Sequence, residues 1–379
     1  YFRSLLKIPG RLIRNVDAPT IVLDVKFKHM AKLQAKRAEA ISQGILVQES
    51  DDEVPASIRF GDQTLRAKIR LKGDWVDHLR GDKISLRVQV RDNGHLFGMR
   101  RFSLQHPAAR GYQAEALFMD TLRSFGVLAP KFLFVNLVLN GQNLGIMAVE
   151  EHFSKELLES QGRREGVIIR LDESLVWAHD FDALRGFEGP FDDFQNAKVN
   201  AFQMSKIAES EDLSRDLRTA TGLMRGFAER SLSASKVFDP ELMGRFLAIA
   251  DFWGAWHGLD WINMRFYCNP ITLRLEPIGF DAELQIRRRE GRSTTASPIA
   301  IALMEDNRVF DSYKRTASRL VDHFNDVNVI LALDKLEKEH LRGLQREFVL
   351  LEEFDRAEIA GKAPDIFGDI EKDGDIALE

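Results

Sequence analysis

The sequence predicts an α+β protein with two lobes, a small lobe formed by an antiparallel sheet and a larger, mostly helical lobe. Two observations support this fold class. Short segments of alternating apolar and polar residues, separated by turn-forming residues, dominate residues 51–151. Apolar residues at helical spacing dominate residues 152–379, apart from a hairpin near residues 257–283. Residues 1–50 are predicted to form a lead-in strand and helix.

The strands of the first part are separated by clear turn signals. Gly44 ends the first helix, and Gly61-Asp62, Asp92-Asn93-Gly94 and Asn140-Gly141 mark hairpins. In chain order, the sequence predicts a strand at 20–25, a helix at 28–43, strands at 57–60, 64–71, 84–90 and 97–104, a helix at 112–125, and strands at 132–139 and 144–150. This order of strands, one helix and a strand pair is typical of the small lobe of a kinase.

The helical part centres on a buried helix. Asp239 is its predicted N-cap and Pro240 its first residue, and its far end delivers His257 and Asp260. A polar insertion at 180–196 is the best candidate for a lid or substrate loop. It is predicted from aromatic and acidic residues that alternate with glycine and proline.

The C-terminal part predicts a long amphipathic helix over 328–360. Leu341, Leu344, Phe348 and Leu351 lie on one of its faces. This helix is expected to pack on the large lobe, and no catalytic residue is predicted in it.

Two oxygen-bearing side chains flank the hairpin of the helical part. Asn263 precedes its first strand and Asp281 ends its second. Amide and carboxylate oxygens suit Mg²⁺, which keeps its other positions for phosphate and water. The pattern predicts a magnesium site of the kind that phosphoryl-transfer proteins use. A turn at Asn263 and a helix cap at Asp281 are the alternative roles.

Length and composition are those of an ordinary globular chain. Of its 379 residues, 44% are hydrophobic and 29% are charged, which is enough for two lobes with a large core. The 53 basic and 58 acidic residues are mixed along the chain, so nucleic acid is not an expected partner. The single cysteine, Cys268, excludes an internal disulfide and a cysteine-based zinc site.

Six short motifs follow one another between about residues 69 and 283. They are Lys72-Gly73-Asp74-Trp75; Lys83-Ile84-Ser85-Leu86-Arg87-Val88; Phe97-Gly98-Met99-Arg100-Arg101-Phe102; Ala116-Leu117-Phe118-Met119-Asp120 with Gly126-Val127-Leu128-Ala129-Pro130; Leu139-Asn140-Gly141-Gln142-Asn143-Leu144-Gly145 with Val149-Glu150-Glu151; and Asn263-Met264-Arg265-Phe266-Tyr267 with Pro277-Ile278-Gly279-Phe280-Asp281. In this order and spacing they resemble the spore-coat CotH kinase family.

The resemblance implies an atypical protein-kinase-like fold and an ATP phosphotransferase. Such an enzyme would transfer the γ-phosphate of ATP to a serine or threonine hydroxyl of a protein. ATP and Mg²⁺, with Mn²⁺ as a substitute, are the implied cofactors. The implied partners are ATP and a protein or cell-surface acceptor, in a bacterial setting. The resemblance also assigns the metal role to Asn263 and Asp281.

Asp260 is predicted to orient or deprotonate the acceptor hydroxyl, because that step needs a carboxylate near the metal. In the CotH family the acidic residue usually lies further before the asparagine than Asp260 lies before Asn263. His257 therefore stays a rival, since an imidazole can accept the same proton. A hydrogen-bonded structural histidine is the other role for His257.

Three basic residues are candidates for binding the nucleotide phosphates: Lys72, Lys83 and Arg87. Lys83 and Arg87 are predicted to lie on one strand, with Arg87 facing the cleft. The family carries lysines on this strand, so Arg87 is a departure that would bind phosphate in a bidentate manner. Glu115 is the candidate carboxylate partner of the phosphate-binding cation. Glu150 is a further cofactor-binding candidate. It ends the strand that is predicted to lead, as a hinge, into the large lobe, where backbone groups usually bind adenine.

The N-terminal residues 1–14 combine apolar and basic side chains. This composition is typical of a basic amphipathic lead-in or of the flank of a membrane tether upstream of Tyr1. No signal peptide and no membrane-spanning segment is predicted. An extracytoplasmic or membrane-tethered location is the expectation, and the basic flank keeps a cytoplasmic location as the alternative.

Three other functions fit the same residues. A nucleotide-binding pseudokinase that acts as a scaffold would bind ATP without transferring phosphate. A transferase with another acceptor would adenylylate a protein, or phosphorylate a polysaccharide or small molecule. A plain surface-interaction domain would bind no nucleotide.

Overall fold

The computed structural model describes residues 18–49, 51–73, 76–173, 194–284, 297–325 and 327–354. Most of the predicted insertion at 180–196 lies outside the described residues, as do residues 1–14 and the pair Asp74-Trp75. The C-terminal part of the predicted helix over 328–360 also lies outside them.

The described residues form a mixture of strands and helices, which confirms the predicted α+β class. The strands are β1 (Thr20–Asp24), β2 (Val54–Phe60), β3 (Gln63–Leu71), β4 (Leu86–Val90), β5 (Arg101–Gln105), β6 (Phe132–Leu139), β7 (Gln142–Glu151), β8 (Ile168–Leu171), β9 (Val199–Ala201), β10 (Arg265–Asn269) and β11 (Arg274–Ile278). The helices are α1 (Phe27–Gln43), α2 (Gln113–Ser124), α3 (Lys155–Ser160), α4 (Met204–Ala208), α5 (Glu211–Ala228), α6 (Ala234–Val237), α7 (Pro240–Trp253), α8 (Pro298–Met304), α9 (Asn307–Asn325) and α10 (Val327–Leu344).

The chain divides into two compact units. Among the described residues, the barrel unit comprises 18–116, 130–157 and 334–353, and the helical unit comprises 117–129 and 158–333 with residue 354. Each unit contains its own β-sheet.

The sheet of the barrel unit is closed, in the order β1-β2-β3-β4-β5-β7-β6. Neighbouring strands are antiparallel except β1 and β6, which pair in parallel with Thr20 opposite Asn136. The sheet that was predicted as antiparallel therefore contains one parallel pairing and is closed into a barrel. Strand β1, which the sequence assigned to a lead-in, pairs with both β2 and β6 and leaves the sheet without edges.

The interior of the barrel is apolar, and the outer face of β4 is polar. Along β4 the buried residues Leu86, Val88 and Val90 alternate with the partly exposed Arg87 and Gln89. This alternation follows from the period of two in a strand, and it is the one that the sequence predicted.

The local turn signals are confirmed. Gly44 follows α1 with a φ of 82°, and its amide donates to the carbonyl of Ala40. Asn140 and Gly141 join β6 to β7 with φ angles of 49° and 84°. Lys83, however, lies before β4 and not on it, since β4 begins at Leu86.

The C-terminal helix packs differently from the prediction. Helix α10 ends at Leu344, and residues 334–353 belong to the barrel unit. A second apolar cluster covers the outer face of β6 and β7. It comprises Ala116, Phe132, Phe134, Ile146, Ala148 and Leu344, with Phe348 and Leu351 packed against it. These outward-facing side chains of β6 and β7 are apolar, so exposing them to water would be unfavourable. Leu344, Phe348 and Leu351 pack on them and remove them from water.

The helical unit is built around α7 and α9. A Cβ added at Gly244 of α7 would lie 2.6 Å from the backbone nitrogen of Tyr313, so the two helices pack in close contact. The side chain of Asp239 accepts from the amide of Leu242 at 3.0 Å, which confirms the predicted N-cap. Among the described helices, none combines the length and the apolar character needed to cross a membrane.

The sheet of the helical unit has the strand order β11-β10-β8-β9. Strands β10 and β11 form the predicted hairpin, with Arg265 opposite Ile278. The residues before β10 and after β11 are therefore brought to the same end of the hairpin. This pairing places Asn263 and Asp281 in the same region of the unit.

Candidate functional site

The barrel unit contains a buried ion pair between Lys72 and Glu150. The Nζ of Lys72 lies 2.7 Å from Oε2 of Glu150, and the two side chains are 8% and 4% exposed. The same Nζ donates to Oε1 of Gln105 at 2.7 Å. The amide nitrogen of Gln105 in turn donates to Glu150 Oε2 at 3.1 Å. These three side chains form a closed hydrogen-bonded group.

Strand register explains why these residues meet. Arg87 on β4 lies opposite Ser103 on β5, which lies opposite Glu150 on β7. Paired residues point to the same face of a sheet, so all three belong to the outer face of the barrel. Lys72 directly follows β3, and its amide donates to the carbonyl of Ser85 at 2.9 Å. Lys72 is thus held beside this row.

The electrostatic surroundings of the pair are positive. Burial, with smaller contributions from Arg110 and Arg87, lowers the pKa of Lys72 to about 8 although Glu150 acts in the opposite direction. Burial alone would raise the pKa of Glu150, but Lys72, Arg110 and Arg87 bring it down to about 2. The pKa of Lys72 is thus lowered mainly by burial, whereas the pKa of Glu150 is lowered by the basic groups around it. Such an environment favours a bound anion.

The structure separates the three predicted phosphate-binding cations. Lys72 is the lysine of the buried pair, and Arg87 lies on the same outer face. Lys83 instead lies 2.6 Å from Oε1 of Glu347 and donates to the carbonyl of Ile146 at 2.8 Å. Lys83 is therefore engaged by the C-terminal part of the barrel unit.

The carboxylate that contacts Lys72 in the structure is that of Glu150. Glu115 was predicted for this role, and it is fully buried on α2. Lys72 is paired with Glu150, which the sequence placed at the hinge and among the cofactor-binding candidates. A single-sequence pattern could not distinguish them, because the pairing depends on the β5–β7 register.

In the helical unit, Asn263 is buried at the start of the hairpin. Its Nδ2 donates to the carbonyl of His257 at 3.0 Å, and its backbone amide donates to the carbonyl of Asp260 at 2.8 Å. The amide nitrogen of the side chain is thus used within the turn. Oδ1 is the atom of this side chain that could bind a cation.

Asp281 and Glu283 lie on either side of His257. Oδ1 of Asp281 is 3.9 Å from Nε2 of His257, and Oε2 of Glu283 is 3.6 Å from Nδ1. Both acidic residues have a positive φ, 48° and 41°. This left-handed backbone is uncommon for residues other than glycine, and it is often found at functional sites. Glu283 was missed by the sequence analysis.

Close backbone packing holds this turn against the end of β11. The short helix at Trp256–Leu259 contains Gly258, and a Cβ there would lie 2.9 Å from the carbonyl oxygen of Phe280. Arg265 donates through Nη1 to the carbonyl of Ile262 at 2.6 Å, and its guanidinium lies 4.8 Å from the ring centroid of Phe280. The lack of a side chain at Gly258 lets the turn approach Phe280, and the buried Arg265 packs on the same ring. Both contacts help to position the predicted metal site.

A buried aspartate that the sequence analysis missed supports the same turn. Asp251, on α7, accepts from the hydroxyl of Tyr313 at 2.7 Å and from Nε1 of Trp256 at 3.3 Å. Tyr313 lies on α9, far along the sequence, so no local pattern indicates this contact. Asp251 anchors the turn that carries His257 and Asp260.

Asp260 is exposed, and its carbonyl accepts from the amides of Asn263 and Met264 at 2.8 and 3.1 Å. These two hydrogen bonds fix the backbone of this exposed residue. Its role as the predicted base stays a prediction.

The barrel unit also contains a group of acidic residues, Glu49, Asp51 and Asp52, whose ligand atoms lie within 4.8 Å of one another. Lys36 is 3.0 Å from Glu49 and Lys32 is 2.8 Å from Asp51. These contacts are those of a solvated ion-pair network on the surface. None of the predicted metal-binding residues belongs to it.

The family model described as CotH kinase protein matches residues 69–355, well over half of the chain. The chain belongs to the CotH kinase family. The matched range contains the Lys72–Glu150 pair, the turn with Asn263 and the end of β11 with Asp281. Membership in the CotH kinase family indicates a kinase-like phosphotransferase. Among curated proteins, none matches the chain.

Proposed function

We propose that the chain is an ATP- and Mg²⁺-dependent phosphotransferase that transfers the γ-phosphate of ATP to a serine or threonine hydroxyl of a protein. The observation that carries this proposal is the buried Lys72–Glu150 pair in positively charged surroundings. Membership in the CotH kinase family supports the reaction class. The acceptor is an unidentified protein, which could be exposed at the cell surface.

The barrel unit supplies groups that fit a polyphosphate. Lys72 is held in one orientation by Glu150 and Gln105, so little side-chain freedom is lost when it contacts a phosphate oxygen. Arg87 and Arg110 contribute positive charge to the same surroundings. Arginine offers a planar pair of donors, which suits phosphate.

The helical unit supplies oxygen ligands that fit a divalent cation. Asn263 Oδ1 and the Asp281 carboxylate would hold Mg²⁺ or Mn²⁺, and Glu283 could add a further carboxylate. These are hard oxygen ligands, and Mg²⁺ characteristically uses few of them. When bound, the metal ion neutralises phosphate charge as it develops.

Asp260 is the proposed base, and His257 is proposed to orient the two acidic residues beside it. In the proposed reaction the bond between the γ-phosphorus and its bridging oxygen breaks, and the bond to the acceptor oxygen forms. ADP leaves, and the hydroxyl proton passes to the carboxylate of Asp260. His257 lies within 4 Å of Asp281 and Glu283, which supports its orienting role.

Calorimetric titration of ATP, with and without Mg²⁺, tests the proposal. We expect metal-dependent binding to the wild-type chain, and loss of binding in Lys72→Met and in Asp281→Asn. The matched controls are Lys68→Met and Asp212→Asn, because Lys68 and Asp212 form exposed ion pairs with Glu53 and Arg215. A folded wild-type chain that binds no ATP with Mg²⁺ or Mn²⁺ would overturn the proposal.

Mass spectrometry of acceptor proteins then tests the transfer itself. A phosphoryl group added to serine or threonine supports the proposal. An added nucleotidyl group would identify an adenylylating enzyme instead. Binding of ATP without any transfer would identify a pseudokinase that acts as a scaffold.

A further inference from the structure

The carboxylate of Glu347 occupies a defined site in the barrel unit. Its Oε1 lies 2.6 Å from Nζ of Lys83, and its Oε2 accepts from the backbone amide of Ile146 at 2.7 Å. Lys83 also donates to the carbonyl of Ile146 at 2.8 Å. One lysine and one backbone amide therefore bind both carboxylate oxygens.

Gly145 makes room for this carboxylate. Its φ is 77°, and a Cβ at this position would lie 2.3 Å from Oε2 of Glu347. The pairing of β6 and β7 also shifts register between Leu137 and Val138, beside Gly145. The left-handed backbone at this irregularity leaves space for the carboxylate beside the amide of Ile146. A side chain at position 145 would displace Glu347.

The residues around Glu347 form a segment that lies across the outer face of the barrel. We call residues 345–353 the strap. The ring of Phe348 lies 5.2 Å from Nζ of Lys83 and packs edge-on against the rings of Tyr112 and His106. The side chain of Gln113 donates to the carbonyl of Glu352 at 2.9 Å.

The strap contacts two elements that also hold the Lys72–Glu150 pair. Ile146, which binds Glu347, and Glu150 lie on the same face of β7, four residues apart. His106, which packs against Phe348, directly follows Gln105, whose side chain contacts both Lys72 and Glu150. The strap thus packs against strand β7 and against the Gln105-His106 segment.

We propose that Glu347 is a positioning residue, which holds the strap on β7 and thereby keeps Lys72 and Glu150 in the arrangement that binds phosphate. The role of Lys72 in phosphate binding rests on the proposed function. The claim that Glu347 holds the buried pair in place does not rest on the proposed function. The accessibility of Lys72 can be measured without nucleotide. In this inference Lys83 binds Glu347 of the strap and not the nucleotide.

The test measures how fast Lys72 of the full chain is acetylated by an amine-reactive ester, followed by peptide mass spectrometry. Two variants, Glu347→Ala and Gly145→Ala, release the strap from opposite sides of the same contact. We expect the acetylation rate of Lys72 to rise about 10- to 100-fold in both, as expected when charge-assisted hydrogen bonds that hold a local structure are lost. Glu347→Gln, which keeps the shape, should show a smaller rise.

Matched controls separate this effect from general destabilisation. Gly141→Ala imposes a similar left-handed strain at a φ of 84°, with no atom within 4 Å of the new Cβ. Glu53→Ala removes an exposed carboxylate 3.1 Å from Lys68. Neither should change the acetylation rate of Lys72. A lowered melting temperature with unchanged Lys72 acetylation in both strap variants would overturn the inference.

Titration with ATP and Mg²⁺ on the same variants separates the two proposals. Weaker ATP binding together with faster Lys72 acetylation supports both. If the wild-type chain binds no ATP while strap release still exposes Lys72, the positioning inference stands and the proposed function fails. If ATP binds equally well to wild type and strap variants, the positioning inference fails and the proposed function stands.

Discussion

The two candidate regions differ in how their charges are held. In the barrel unit, Lys72 and Glu150 are less than a tenth exposed and bond directly to each other. In the helical unit, the acidic residues are more accessible, with side chains 15% exposed at Asp281 and 66% at Glu283. The first region is a buried polar network, and the second is a turn whose carboxylates reach solvent.

This difference indicates what maintains each region. The buried pair depends on complete pairing, because an unpaired charge in the interior is costly. The turn depends on backbone conformation, with positive φ at Asp281 and close contact at Gly258. Substitutions in the first region should therefore act on stability and binding together, and substitutions in the second mainly on binding and activity.

The largest expected effect is that of Lys72→Met. It leaves Glu150 buried without its lysine, so the free energy of unfolding should fall by about 3 kcal/mol, measured by urea denaturation. In the double variant Lys72→Met with Glu150→Met, most of this stability should return because no buried charge is left unpaired. ATP binding should stay lost in both. A double variant as unstable as the single one would contradict the buried-pair interpretation.

Asp281→Asn should have the opposite profile. The substitution preserves shape and removes the negative charge that a divalent cation needs, so phosphotransfer should fall at least about 100-fold. Urea denaturation should show an unchanged stability within about 0.5 kcal/mol. Asp212→Asn, the same change at an exposed ion pair, should alter neither quantity. A large loss of stability in Asp281→Asn would contradict the expectation that substitutions in the turn act mainly on binding and activity.

The pH dependence of ATP binding should reveal the buried lysine. The pKa of Lys72 is lowered to about 8, so this side chain loses its positive charge as the pH rises through that value. Affinity should be highest below pH 8 and fall by up to about tenfold per pH unit above it. Lys72→Arg keeps its charge over this range, so its affinity should stay level from pH 7 to 9, measured by calorimetry.

The smallest effect is expected at Gly258. A methyl group in Gly258→Ala would lie 2.9 Å from the carbonyl oxygen of Phe280, so the turn must shift. We expect the free energy of unfolding to fall by about 1 kcal/mol and metal-dependent ATP binding to weaken a few fold. Gly222→Ala, on helix α5 with no atom within 4 Å of its Cβ, should leave stability equal or slightly higher. Equal outcomes for the two variants would show that close packing at Gly258 is unimportant.

Local sequence signals determined the elements and the hairpin. Gly44, Asn140-Gly141 and Asp239-Pro240 act through their own backbone preferences, which do not depend on distant residues. Asn263 and Asp281 could be assigned to one region because the hairpin between them has its own turn. The CotH motifs were recognisable for the same reason, since each is a short run of consecutive residues.

Only the tertiary structure decided the pairings. Whether Glu115 or Glu150 faces Lys72 depends on the register of β5 with β7, and register is set by the packing of the whole barrel. The same holds for Lys83, which contacts Glu347 far along the chain, and for the parallel pairing that closes the barrel. Contacts between distant residues are chosen by the burial of shared apolar faces, and a single sequence does not specify which faces meet.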